Sequence, residues 1–175
     1  MILERYPELR DRGRLLDVAR LGMDVQVARP YLDEIVESVT DRLGMPFAVV
    51  DSLLDGAQVF LAGRGPIPEW VGEVGGTPIE WAFCLPMLRS RTTRSVSDLT
   101  TDPEFRDNPL VTIEGIRSYI GAPLISGSGA VLGGLCALDV RPREFDPAEL
   151  DLMRDLADEV VRRIEARAEP DIMEP

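Results

Sequence analysis

SYIGAPLISGSGAVLGGLCALDVRPREFD, residues 118 to 146, is the most informative piece of this chain. Tyr119, Ile120, Leu124 and Ile125 lie on one side of a turn marked by Gly127 and Gly129, and Val131, Leu132, Leu135, Ala137 and Leu138 lie on the other. Two apolar runs of strand length around a glycine-rich turn read as a hairpin with both arms buried. Gly121, Gly133 and Gly134 within it allow close backbone approach or a bulge. Directly afterwards Asp146, Pro147 and Glu149 supply a cap, a first-turn proline and a capping-box partner, launching a helix through about Ala168. Leu150, Met153, Ala157, Val160, Val161 and Ile164 form one stripe on that helix. Leu152 and Leu156 widen it beyond the needs of one sheet face, so part of the width is expected to bury against another subunit.

Working back towards the N-terminus, FAVVDSLL from Phe47 reads as a strand, Asp55-Gly56 as a tight turn, and Gln58 to Arg64 as the antiparallel partner. Before it, Leu32, Ile35, Val36, Val39 and Leu43 recur at helical spacing after Pro30 and stop at Gly44. Arg14 to Met23 supports a shorter helix between Gly13 and Gly22, expected to dock outside the core. Gly65 to Thr77, with its prolines and glycines, predicts a covering loop with at most one helical turn around Glu69 to Val71. A short helix is expected around Glu80 to Leu88, limited by Pro86, and a short strand from Thr93 to Val96 ends before Asp98. Asp102 caps one or two turns that run to Asp107, where Asn108-Pro109 breaks them. The tail EPDIMEP is expected to be disordered. Helix, hairpin, loop, short strand, irregular segment, hairpin and long helix together make an α+β domain built on an antiparallel sheet.

Composition bounds the chemistry. At 175 residues and 45% hydrophobic, the chain suits one globular domain. Its apolar runs stop well short of the roughly 18 residues of a membrane span, and MILERYPELRDR lacks the apolar core of a signal peptide, so a cytoplasmic location is expected. A formal charge of −12 disfavours nucleic acid as a partner. Arg10, Arg12 and Arg14, a dense basic cluster near the N-terminus flanked by acidic residues, read as a solvated helix start. There is no histidine, and all 19 basic residues are arginine. His-ligated haem, a Ser-His-Asp triad, Schiff-base chemistry and a Walker-type phosphate loop are thereby excluded. Cys84 and Cys136, the only cysteines, sit in AFCLP and GGLCAL and read as buried free thiols rather than a reactive pair. No metal site and no cofactor is expected.

Six strings carry a sharper reading: LGMPFAVVD, the Phe83-Cys84 pair, VSDLTTDPEFRDNPLV, IRSYIGAPL, LGGLCALD and RPREFDPAELDLMRDLA. In this order they resemble the GAF domains of bacterial signalling proteins, over about Leu15 to Arg163. The resemblance implies a PAS-related antiparallel sheet with the N- and C-terminal helices on one face and a ligand cavity on the other, roofed by Trp81 to Arg117. It implies residues 1–13 as an extension, 14–168 as a single GAF domain and 169–175 as a tail. Positions matching ligand-lining sites are Trp81, Phe83, Cys84, Asp98, Phe105, Asn108, Leu110, Arg117 and Tyr119.

Each of these also has a plainer role. Asp98 and Asn108 suit capping and turns, and Arg117 at the start of a buried strand suits an ion pair with Asp98 or Glu114. Trp81 and Tyr119 suit a pocket wall or the core. The expected function is a non-catalytic sensory and regulatory module, homodimeric, binding a small organic ligand and acting on a signalling partner protein. The alternatives are a cysteine-dependent redox enzyme or sensor of the free methionine sulfoxide reductase type, and a dimerisation scaffold without ligand. Against the reductase stands the absence of its three-cysteine set. The N-K-x-D signature of cyclic-nucleotide GAF domains requires a lysine, and bilin-binding ones pair their cysteine with a histidine.

Overall fold

Side-chain alternation along β1, Phe47–Leu53, sets up the architecture. Ala48 and Val50 point to one face of the sheet, and Val49, Asp51 and Leu53 to the other. In this computed structural model, which describes residues 1–66 and 75–168, β1 is followed by β2, Ala57–Arg64; β3, Gly76–Pro78; β4, Arg94–Val96; β5, Ser118–Ile125; and β6, Val131–Asp139. They form one sheet in the order β3-β2-β1-β6-β5-β4, every neighbouring pair antiparallel. The helical turn read around Glu69 to Val71 and the EPDIMEP tail lie outside the described residues.

Rows of side chains across the central strands show why the hairpin is buried on both sides. Ala48, Ala137 and Ile120 make one row facing the helices, and Val49, Cys136 and Gly121 make the next, facing the opposite way. The helices are α1, Ile2–Arg5; α2, Arg12–Arg20; α3, Asp33–Leu43; α4, Met87–Ser90; α5, Pro109–Thr112; and α6, Pro147–Arg167. α3 and α6 cover the first face. Ile35, Val36, Val39 and Leu43 of α3 meet Met153, Ala157, Val160, Val161 and Ile164 of α6 in one buried cluster with the sheet. Leu152 and Leu156 pack partly buried against this same cluster. Gly44, at φ 65°, takes the left-handed turn that ends α3. At the start of α6 the Glu149 N–H donates to Asp146 Oδ1 at 2.8 Å, and the Asp146 N–H to Glu149 Oε1 at 3.1 Å.

Several local expectations are corrected. α2 does not dock outside the core: Val18 joins the helix-side cluster with Leu21 and Met23 beyond its end, while Leu16 carries the exposed face. Arg14 is not part of a solvated helix start but is 4% exposed, because its guanidinium is needed by backbone carbonyls of the sheet and the N-terminal segment. The helix read over Glu80 to Leu88 divides into a 3₁₀ turn, Ile79–Trp81, and α4, with Pro86 at the junction. Asn108-Pro109 does not only end a segment but starts α5, since the Asn108 side chain accepts the Leu110 N–H at 2.9 Å and Pro109 needs no donor there.

Candidate functional site

The second face of the sheet is roofed by residues 79–117, a run of short turns pinned by side chains. Beneath it Phe83, Cys84, Phe105 and Tyr119 come together, all buried. Phe83 meets Phe105 edge-on at 5.3 Å between ring centroids and Tyr119 at 5.7 Å. Asn108 is buried at the edge of this group, with Nδ2 donating to the Trp81 carbonyl at 3.1 Å. Trp81 and Leu110 are half-buried there. Asp98 and Arg117 stand apart. Asp98 caps the turn Leu99–Thr101, accepting from the Thr100 N–H at 3.0 Å and its hydroxyl at 2.6 Å. Those bonds, helped by the charge of Arg117, hold its carboxyl below the usual range. Arg117 donates to the carbonyls of Val111 and Ile116 at 2.9 and 3.1 Å.

Deeper, against the sheet, lies a polar cluster. Alternation along β1 turns Asp51 into this face, wholly buried. Cys84 arrives from the roof and Cys136 from β6, with their sulfurs 2.8 Å apart. Asp51 Oδ2 lies 3.3 Å from Cys84 Sγ and 3.7 Å from Cys136 Sγ. The Tyr119 hydroxyl is 3.6 and 3.7 Å from the same two sulfurs. Around them, the Gly134 N–H donates to Asp51 Oδ1 at 3.0 Å, and Gln58 Nε2 to Asp51 Oδ2 at 2.9 Å. The Thr77 hydroxyl donates to Gln58 Oε1 at 2.9 Å, which fixes the orientation of that amide. Gln58, Thr77 and Trp81 also line a surface cleft of about 680 Å³ at the β2–β3 edge.

Burial dominates the electrostatics here. It pushes the Asp51 carboxyl up to about 6, although the thiols, the Gln58 amide and the Gly134 N–H all favour the charged form. The bond to Cys136, then burial, then the Asp51 charge hold the Cys84 thiol well above its ordinary range. Burial raises Cys136 and Tyr119 too. Protonated thiols are weak nucleophiles, and both shifts are towards the protonated form. Two sulfurs and a carboxylate are also a ligand set for a soft or borderline divalent cation.

Asp51, Gln58 and Thr77 escape the reading of the sequence. The available signal was Asp51 itself, a carboxylate at a core-facing position in FAVVDSLL, where only a specific partner compensates burial.

A model of the GAF domain family matches residues 29–164. Over 139 residues the chain is 35% identical to a cyclic di-GMP phosphodiesterase of Pseudomonas aeruginosa, a match covering 79% of this chain and 22% of that protein. The chain thus spans less than a quarter of that relative's length. Among solved structures, the GAF domain of an Acinetobacter phosphoenolpyruvate-protein phosphotransferase superposes with a TM-score of 0.66 at 19% identity, covering 93% of this chain and 99% of that one. Free methionine-R-sulfoxide reductase from Neisseria meningitidis superposes with a TM-score of 0.59 at 22% identity, covering 77% and 76%. At such identities these two likenesses establish the fold alone. With its family match, its six-stranded antiparallel sheet and its two long helices on one face, the chain belongs to the GAF domain family.

Proposed function

We propose that this chain is a non-catalytic sensory module that binds a small organic ligand on the roofed face and passes occupancy, within a homodimer, to a signalling output through α3 and α6. The observation that carries this reading is the unequal treatment of the two faces. One is sealed by two amphipathic helices of 11 and 21 residues, and the other is closed by turns and helices of four residues or fewer, both between 79 and 117 and in the N-terminal segment that carries Tyr6 and Leu9. Short caps can exchange arrangements at modest cost, and a ligand shifts the module only as far as it prefers one arrangement. The relative in Pseudomonas supports an output in cyclic di-GMP signalling, since the shared segment is a minor part of that enzyme.

A melting screen of the intact protein against a metabolite library, with native mass spectrometry of the purified material, tests this. A ligand at one hundred times its Kd contributes about 2.7 kcal/mol, which raises the melting temperature of a domain this size by roughly 5–10 °C. No shift and no retained mass across the library would leave a scaffold. Sulfoxide turnover lost in Cys84→Ser or Cys136→Ser would identify a thiol enzyme instead. Light scattering gives the oligomeric state directly.

A further inference from the structure

We propose that Asp51, Cys84 and Cys136 form a binding site for a thiophilic divalent cation such as Zn²⁺, closed between the sheet and its roof. The site does not depend on the sensory reading above, because it lies beneath the ring cluster and draws its three protein ligands from one chain.

Convergence is the first support. Ligand atoms from β1, from the roof and from β6 all fall within 4.8 Å of one another. Zinc binds thiolate at about 2.3 Å and carboxylate oxygen at about 2.0–2.2 Å. Tetrahedral angles at those bond lengths put two sulfurs about 3.7 Å apart, so Cys84 and Cys136 need to open by about 1 Å. Asp51 Oδ2 is already 3.3 and 3.7 Å from the two sulfurs.

Orientation is the second. Metal-binding carboxylates are held by outer hydrogen bonds, and Asp51 has such a set. The Gly134 N–H occupies Oδ1, which aims Oδ2 at the sulfurs, and Thr77 fixes Gln58, which braces Oδ2. The Tyr119 hydroxyl stands within reach of both sulfurs and supplies a donor to thiolate.

Charge is the third. The hydrogen-bond partners that Asp51 has among the described residues are an amide, a backbone N–H and two thiols, all neutral. A cation would complete a buried cluster of potential anions. Binding displaces the two thiol protons to solvent and involves no electron transfer. A disulfide would serve the sulfurs alone, require an external oxidant, and remove two of the donors that satisfy Asp51. The bound ion would clamp the roof at Cys84 to the central strands.

Reduced, chelator-treated protein should be titrated with Co²⁺ and then with Zn²⁺ against a chromophoric competitor. One equivalent of Co²⁺ should bind with a thiolate charge-transfer band, and one of Zn²⁺ should displace it. Cys84→Ser and Cys136→Ser should each roughly halve the band. Asp51→Asn should keep the band but weaken affinity by about 100-fold or more, beyond the roughly 10–100-fold that loss of an outer hydrogen-bond partner costs. Circular dichroism identifies any variant that has not folded, and the wild-type titration decides the proposal by itself. Folded, reduced protein that takes up neither ion overturns it, as does uptake that persists unchanged in both serine variants. A protein isolated two hydrogens lighter that binds no ion after reduction overturns it too, and assigns the sulfurs to a disulfide.

Discussion

A side-chain carbon at Gly134 would stand 2.7 Å from Cys84 Sγ and 3.4 Å from Cys136 Sγ. The glycine therefore makes the room in which the two sulfurs and Asp51 meet, while its own N–H holds Asp51 Oδ1. One residue serves the cluster through both its missing side chain and its backbone.

Replacing it forces a sulfur to move. Gly134→Ala is expected to destabilise the fold by about 1–3 kcal/mol, the usual range for an overfilled core. Gly133→Ala should cost more, since its new carbon would lie 2.0 Å from the backbone oxygen of Asp51, which cannot swing aside. Gly56→Ala meets nothing within 4 Å and should be near neutral. Urea unfolding of the three variants gives the ranking, and equal losses at 133 and 56 would defeat it.

Asp51 predicts a pH dependence of unusual sign for a carboxylate. Burial raises it from 3.8 to about 6, so the folded state binds its proton more tightly than the unfolded chain. Its contribution to stability is full below about pH 4, falls as pH rises, and is lost above about 6. Two units correspond to roughly 3 kcal/mol. Cys84 and Cys136 face the same carboxylate and Tyr119 faces the two sulfurs, and all three are pushed upward and stay neutral across this window. In chelator-treated protein, the stability of Asp51→Asn relative to wild type should improve between pH 4 and pH 7. A difference independent of pH would remove this account of Asp51.

The central strands and the helices α3 and α6 were legible because each carries its own period and its own stop signal, such as Gly44 or the Asp146–Glu149 box. The roof was legible as irregular, though not in detail, since turns of three or four residues have too few positions to show a period. The cluster at Asp51 was not legible. Cys84 and Cys136 are 52 residues apart, and nothing in AFCLP or GGLCAL says that they meet. The first residues likewise read as an extension, yet Tyr6 and Leu9 are buried in the roofed-face core. Two apolar anchors without a repeat leave no pattern to detect.

Arg14 makes those first residues matter. Nη1 donates to Leu53 O at 2.7 Å and Val131 O at 3.3 Å, Nη2 to Leu9 O at 3.0 Å, and Nε to Glu8 O at 3.1 Å. One guanidinium thus joins the N-terminal turn to the ends of β1 and β6. Arg14→Met orphans buried carbonyls at about 1–3 kcal/mol each, so a loss of roughly 3 kcal/mol or more is expected. Arg14→Lys should recover only part of it, because a compact ammonium cannot span the fork. Removing residues 1–10 should lower the urea midpoint as well. A truncated chain as stable as the full one would show that these contacts are incidental.

Asn108 allows capping and roof anchoring to be separated. Its side-chain oxygen caps α5 through the Leu110 N–H, and its amide nitrogen holds the Trp81 carbonyl. Asn108→Asp keeps the acceptor and loses the donor, whereas Asn108→Ala loses both. The alanine variant should cost about 1–2 kcal/mol, the cap accounting for most of it, and the aspartate variant distinctly less. Hydrogen exchange at Leu110 should speed up only in the alanine variant, while exchange across 79–85 should speed up in both. If aspartate proved as damaging as alanine in the urea midpoint and at Leu110, the capping role would be wrong and the tie to Trp81 would account for the whole effect.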